Sequence, residues 1–384
     1  MMPQNYAEPV QLINSRSDLA AAVRHLAGHS VIAGDLEADS MFHFKERICL
    51  LQMAAPNIIY IIDPLAISDM SSLKPVLENR NIRKVFHGAD YDVRSLYRDF
   101  NISMQNLFDT ELASRFLGYA ETGLNAMIRQ EFDIELEKKF QKKDWSQRPL
   151  PDEMIIYAGD DVRYLIALHE RLEKALQAKG RLEWAMEEFE YIAAVRPEPG
   201  EARPLFLRCK GAGRLDPKSL SVLEALLEMR IEKARQKDRP PFKIMGTQAL
   251  LELAQARPKS MKKLESQNIL SRRQIQMYGP DILRAIKAGA SVPADQLPNY
   301  PRHARPRQSA ADLQKIRRMK RWREKEAKRL AIDPGVFFSN AQIKTLVEAA
   351  PTTIEGLEAI PDLKKWQIRE YGNQLIKAIN SRET

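Results

Sequence analysis

The stretch VIAGDLEADSMFHFKERICLLQMAAPNIIYIID, residues 31–63, decides the fold. It holds three short runs rich in apolar and β-branched residues: VIAGDLEA (Val31–Ala38), RICLLQMA (Arg47–Ala54) and IIYIID (Ile58–Asp63). Turn residues separate them, which predicts a meander of adjacent strands. A further run, RKVFH (Arg83–His87), sits between helical stretches, as in an α/β connection. Apolar residues then recur at helical spacing, most clearly over Asp152–Ala178. The first half of the chain therefore reads as a mixed sheet with helices packed on it.

Around that half lies a chain of 384 residues, long enough for two or three domains. Its two cysteines, Cys49 and Cys209, are too few for a disulfide framework or a cysteine-based zinc site, and a reducing, cytoplasmic setting is expected. The opening MMPQNYAEPVQLINSRSDLA lacks a basic segment followed by an apolar one, and no run approaches 18 apolar residues. Export and membrane insertion are not expected. The net charge of +9 conceals a division: residues 1–200 carry 23 Lys+Arg against 31 Asp+Glu, and residues 201–384 carry 37 against 20. A basic module of this kind suits a polyanion, because neutralising phosphates releases condensed counterions; a solvated helical surface has the same composition.

Two Pro-rich polar stretches, about 196–209 and 291–308, read as linkers. They divide the chain into segments 1–195, 210–290 and 309–384. The last two are helical, and adding 93 to a position in one lands on a similar residue in the other. Arg230 falls on Arg323, Pro241 on Pro334, Pro258 on Pro351, and Tyr278-Gly279 on Tyr371-Gly372, without a gap. Two copies of one small helical domain are the simplest reading.

Three patterns could carry chemistry. On a strand, Asp35 and Glu37 in VIAGDLEADS would project from the same face, where a divalent cation relieves their repulsion; a solvated strand face would also hold them. In KVFHGADYDVRSL a strand ends near His87 and a helix begins near Ala89, which puts Asp92 in the helix's first turn; helix capping, with Asp90 as the cap, is the alternative. In YAGDDVRYL, Tyr157 and Asp161 share one helix face, so that a phenol and a carboxylate can serve one site; a core tyrosine beside a surface aspartate would look alike. Asp160 stands next to Asp161, and only the spacing from Tyr157 selects the second. His25, His29, His43, His169 and His303 lack metal-ligand spacing, and no cysteine joins them. An all-carboxylate site suits Mg²⁺ or Mn²⁺ rather than zinc.

In order and combination these parts resemble the DEDDy 3′-to-5′ exonucleases, with Asp35, Glu37, Asp92 and Asp161 as the four acids and Tyr157 as the tyrosine. The flanks RICLLQ, FDTELASRFLG (Phe108–Gly118) and KKDWSQRPLP (Lys142–Pro151) are similar to the ribonuclease D branch. The helical repeats resemble HRDC domains, nucleic-acid-binding modules that follow the exonuclease unit in that branch. The second copy is the more divergent, with Asp333-Pro334-Gly335 in place of the Arg239-Pro240-Pro241-Phe242 turn. The resemblance implies an RNase H-like mixed-sheet exonuclease domain followed by two small all-α HRDC domains. It implies hydrolysis of RNA from the 3′ end, releasing nucleoside 5′-monophosphates, with tRNA precursors as substrate. It also implies two Mg²⁺ or Mn²⁺ ions. Asp35 would bridge them, Glu37 and Asp161 would hold the nucleophile's ion, Asp92 would support the second through water, and Tyr157 would orient the attacking water.

Beside this, His87 reads either as a substrate contact or as packing at the strand end, with packing favoured. The basic C-terminal half is the expected RNA-holding surface. Within it Arg302–Arg329 has 12 Lys+Arg against three Asp+Glu, and includes Trp322 as a base-stacking candidate. Nothing in the sequence demands a dimer, so a monomer is expected. A DNA exonuclease would share these acids. A non-catalytic nucleic-acid-binding protein on an exonuclease scaffold is the alternative from another class. A helicase is disfavoured, since GAGRLDPKS (Gly211–Ser219) has Pro217 where a phosphate-binding loop needs glycine.

Overall fold

The computed structural model describes residues 8–137, 139–197, 204–301 and 309–381. His303, the start of the basic stretch (302–308) and the middle of the first linker (198–203) lie outside the described residues. These residues form two compact units. The first comprises residues 8–38, 48–197 and 309–381, and the second residues 39–47 and 204–301. The last sequence segment thus belongs to the same body as the first.

In the first unit six strands form one mixed sheet: β1 (Val10–Ile13), β2 (Val31–Ala38), β3 (Ile48–Ala55), β4 (Ile58–Ile62), β5 (Arg83–Phe86) and β6 (Leu107–Asp109), in the order β1-β4-β3-β2-β5-β6. The expected meander is β2-β3-β4, antiparallel throughout, and β5 joins β2 in parallel. The edge strands β1 and β6 are short and were not signalled by any apolar run. Every residue of β3 is buried, as a strand covered on both faces requires. One face carries Ala33, Cys49, Leu50, Val85 and Phe108 under the helices Asp152–Arg163, Leu165–Ala178 and Leu182–Ala194. The other carries Ile32, Leu36, Met53 and Phe86 under Arg16–Ala27 and Asp90–Phe100. Gly34 is small of necessity, because a Cβ there would lie 2.5 Å from the Phe86 ring.

The second helical repeat completes this unit. Its core is continuous with the first face, and Trp366 stacks on Trp184 with ring centroids 4.6 Å apart and planes 12° from parallel. Glu187 accepts from the Lys365 and Trp366 amides at 2.7 and 3.0 Å, which supplies the helix Lys365–Asn380 with a carboxylate at its N-terminus. Trp322 is half-buried, 5.7 Å from Phe337 and 5.6 Å from Phe338, so the expected stacking platform for RNA packs part of its ring against the core. Met319, Arg323 and Ala327 form the buried stripe of the helix Ala310–Leu330, and Trp322 flanks that stripe.

The second unit is the first repeat, with the helices Pro217–Gln236, Pro241–Ile244, Thr247–Ala256, Met261–Ser266 and Arg272–Ala290 around one core, joined by the segment 39–47. The 93-residue offset holds at the level of single hydrogen bonds. Arg230 donates to the Met245 carbonyl and Arg323 to that of Phe338. Gln274 donates to Ile244 O and Gln367 to Phe337 O. No helix among the described residues is long and apolar enough to cross a membrane.

Candidate active site

Asp35 and Glu37 are two apart on β2 and project from one face of the sheet. It is the face covered by the helix Asp152–Arg163, since Ala33 on the same side belongs to the core beneath that helix. From that helix comes Asp161, and one ligand atom each of Asp35, Glu37 and Asp161 lie within 4.8 Å of one another. Asp92, buried in the first turn of Asp90–Phe100, faces the same cluster, because its charge acts on Glu37 and that of Asp35 acts on it. The neighbouring Asp160 points elsewhere and pairs with Arg163 at 2.8 Å. Asp90 does not cap its helix; it lies within the first turn and pairs with Arg94 one turn on.

The electrostatics follow from this crowding. Burial lifts Asp35 to about 7. It lifts Glu37 to about 10, with further upward pushes from Asp35, Asp161 and Asp92. Asp161 rises to about 8 through burial and then the charges of Asp35 and Asp160, and Asp92 is raised well above an ordinary carboxyl by burial and then the charges of Asp35, Asp109 and Asp90. Such a cluster holds protons unless a cation takes their place. Oxygen donors alone make it a site for a hard divalent ion. Tyr157, one turn before Asp161, is also pushed upward by burial and by Asp161, Glu37 and Asp35, so its hydroxyl stays protonated at neutral pH and can orient a water.

Residues to which the sequence assigned no role hold these groups in place. The Asp109 carboxylate accepts from the Gly88 and Ala89 amides at 3.0 and 2.8 Å, and from Glu111 and Leu112 at 2.9 and 3.1 Å. One buried side chain therefore ties the strand-to-helix turn that presents Asp92 to the next helix. Its only sequence signal was the motif FDT. Gln52 stands opposite Asp35 on β3, fully buried, with both amide atoms lacking a hydrogen-bond partner among the described residues. The flank Lys142–Pro151 supports Tyr157. Trp145 and Phe140 pack on its ring with centroids 6.1 and 5.7 Å away, and Arg148 anchors the segment to Asp63 at 2.6 and 2.7 Å. His87 is engaged at the strand end, with Nδ1 2.9 Å from Thr110 Oγ1. Of the other histidines, His43 pairs with Asp238, and His169 is buried edge-on against Phe108.

Residues 10–177 match the 3′-5′ exonuclease family, and residues 219–286 and 312–379 each match the HRDC domain. Ribonuclease D of Pseudomonas paraeruginosa is 26% identical over 377 residues, covering 98% of this chain and 99% of that one. The catalytic core of RRP6 from Trypanosoma brucei superimposes with a TM-score of 0.66 at 28% identity, over 75% of this chain and 81% of that chain. Escherichia coli RNase D superimposes with a TM-score of 0.76 over 97% of this chain and 98% of that chain; at 24% identity the likeness is one of fold.

Proposed function

Since the chain belongs to the ribonuclease D family and is a 3′-to-5′ exoribonuclease, we propose that Asp35, Glu37, Asp92, Tyr157 and Asp161 are its catalytic residues. Asp35, Glu37 and Asp161 would hold one Mg²⁺ or Mn²⁺, and Asp35 with Asp92 a second. Two such ions supply a lowered pKa for the attacking water and positive charge for the departing 3′ oxygen. Tyr157 holds that water in line through its protonated hydroxyl. Asp109 keeps the turn before Asp92 in register and acts as a positioning residue. The products are nucleoside 5′-monophosphates, and the substrates are structured RNAs with a free 3′ end, tRNA precursors with a 3′ trailer among them. The chain works as a cytoplasmic monomer, with an exonuclease domain over 1–195 and HRDC domains over 210–290 and 309–384. Its basic C-terminal half holds the RNA.

The observation that supports this most is the convergence of carboxylates from β2 and the helix Asp152–Arg163 within 4.8 Å, raised by burial and, for Glu37 and Asp161, further by neighbouring acids, with no basic partner among the described residues. The test is Asp35→Asn. Removing one ligand from a coupled set should cost at least about 10³-fold in cleavage while RNA binding persists. Cleavage within tenfold of the parent would refute the assignment.

A further inference from the structure

One face of the repeated helical domain is put to two different uses. In the second repeat, the face formed by the end of the first helix, the short helix after it and the start of the last helix is covered by the exonuclease part of the same unit. Leu330, Ile332, Val336 and Trp366 supply its apolar surface. Arg181 donates to the Phe116 and Leu330 carbonyls, and the Asp333 amide donates to Arg115 O at 3.2 Å.

Subtracting 93 from those four apolar positions gives Lys237, Arg239, Lys243 and Arg273, all exposed. They line an open depression of about 590 Å³ in the first repeat, together with Met277 and Tyr278 and without any acid. That volume lies in the range of sites for nucleotide-sized ligands. The neighbouring carboxylate of Asp238 is occupied by His43 Nδ1 at 2.7 Å and the Phe44 amide at 3.1 Å. Beside the cations, Phe242 and Met277 are 50% and 41% exposed. Their counterparts in the covered repeat are Gly335 and Glu370. A side chain at Gly335 would come within 2.9 Å of Asp333 Oδ1 and 3.4 Å of Arg115 Nη2.

The outer face of the first helix shows the reverse pattern, with Glu228 and Glu232 in the first repeat where the second has Arg321 and Lys325.

We propose that this depression binds the phosphodiester backbone of single-stranded RNA, with Lys237, Arg239, Lys243 and Arg273 on phosphates and Phe242 as a stacking surface for a base. The inference rests on the exoribonuclease reading of the chain. Cations release counterions and an exposed aromatic stacks on any base, so the contact tolerates sequence, as an enzyme that removes successive nucleotides requires. The equivalent face of the second repeat is a docking face and takes no part in it.

The experiment uses the full chain with Arg239→Ala and Arg273→Ala together, beside a comparison chain with Arg321→Ala and Lys325→Ala. Binding of a 5′-labelled single-stranded RNA is read by fluorescence anisotropy against salt in the Asp35→Asn background, and kcat and KM are read without that substitution. The depression variant should bind at least about tenfold more weakly. Its slope of log K against log salt should be shallower by about 1.4, from about 0.7 per lost phosphate contact on a single strand. KM should rise while kcat holds, the mark of lost uniform binding. Both side chains are exposed, so the melting midpoint should match the parent's. Affinity and slope equal to the parent's would overturn the proposal, as would an equal loss in the comparison chain, which would make the effect one of net charge. A parent chain that shortens no RNA with either metal would instead sink the exonuclease reading, and the anisotropy of the Asp35→Asn chain would still judge the depression by itself.

Discussion

At the scale of single residues, the site is a place where folding and function pull in opposite directions. Four half-buried or buried acids with raised pKa values bind protons more tightly folded than unfolded, where carboxyls titrate near 4. Metal-free protein should therefore lose stability as pH rises from about 4 through the values near 7 and 8 of Asp35 and Asp161. Saturating Mg²⁺ or Mn²⁺ should restore it. About 1 kcal/mol moves the midpoint of a domain of this size by roughly 2–4 °C, so thermal melts at pH 5 and pH 8, with metal and with EDTA, resolve the effect. A metal-induced rise no larger at pH 8 than at pH 5 would contradict it. Tyr157 makes a separate case. Tyr157→Phe keeps the ring between Trp145 and Phe140 and deletes only the hydroxyl, so kcat should fall about 10²-fold with KM little changed. A rise in KM at constant kcat would assign the hydroxyl to substrate binding. These acids and the tyrosine were legible because motif order picked them out of common tripeptides. Gln52 and Asp109 were not: a single polar residue inside the apolar run of β3 has no period to mark it, and the tie of Asp109 to the amides of Gly88 and Ala89 shows only in the fold.

At the scale of elements, the second repeat is attached by its aromatic and capping contacts. Trp366 is buried and stacks on Trp184, and Glu187 accepts two amides at the start of the same helix. Trp366→Ala should cost about 3–5 kcal/mol, the usual range for emptying a buried aromatic site. Chemical unfolding should show that loss, and a change below about 1 kcal/mol would mean the repeat is not held there. Gly118 adds to the contact, since its φ of 85° and a Cβ only 2.0 Å from Ala331 O leave no room for a side chain. The strands Val31–Ala38, Ile48–Ala55 and Ile58–Ile62 were readable from apolar runs, and the repeat from its 93-residue offset. The docking of one repeat was not readable. Trp184, Arg181 and Glu187 lie more than a hundred residues before their partners, and within their own helix they have the pattern of an ordinary amphipathic face.

At the scale of the whole molecule, two copies of one domain differ at one face. The second carries Leu330, Ile332, Val336 and Trp366 there and packs into the first unit; the first has cations at the same positions. The charge division between the halves of the chain was visible in the composition, but which repeat exposes its basic face required the packing. The central claim is that the carboxylate cluster hydrolyses RNA from its 3′ end with a divalent ion. The most direct measurement is a time course on 5′-labelled single-stranded RNA and on matched DNA, with Mg²⁺, Mn²⁺ or EDTA. The account predicts a ladder shortening from the 3′ end on RNA, present with metal and absent with EDTA. RNA that is bound yet stays full length with both metals would contradict it.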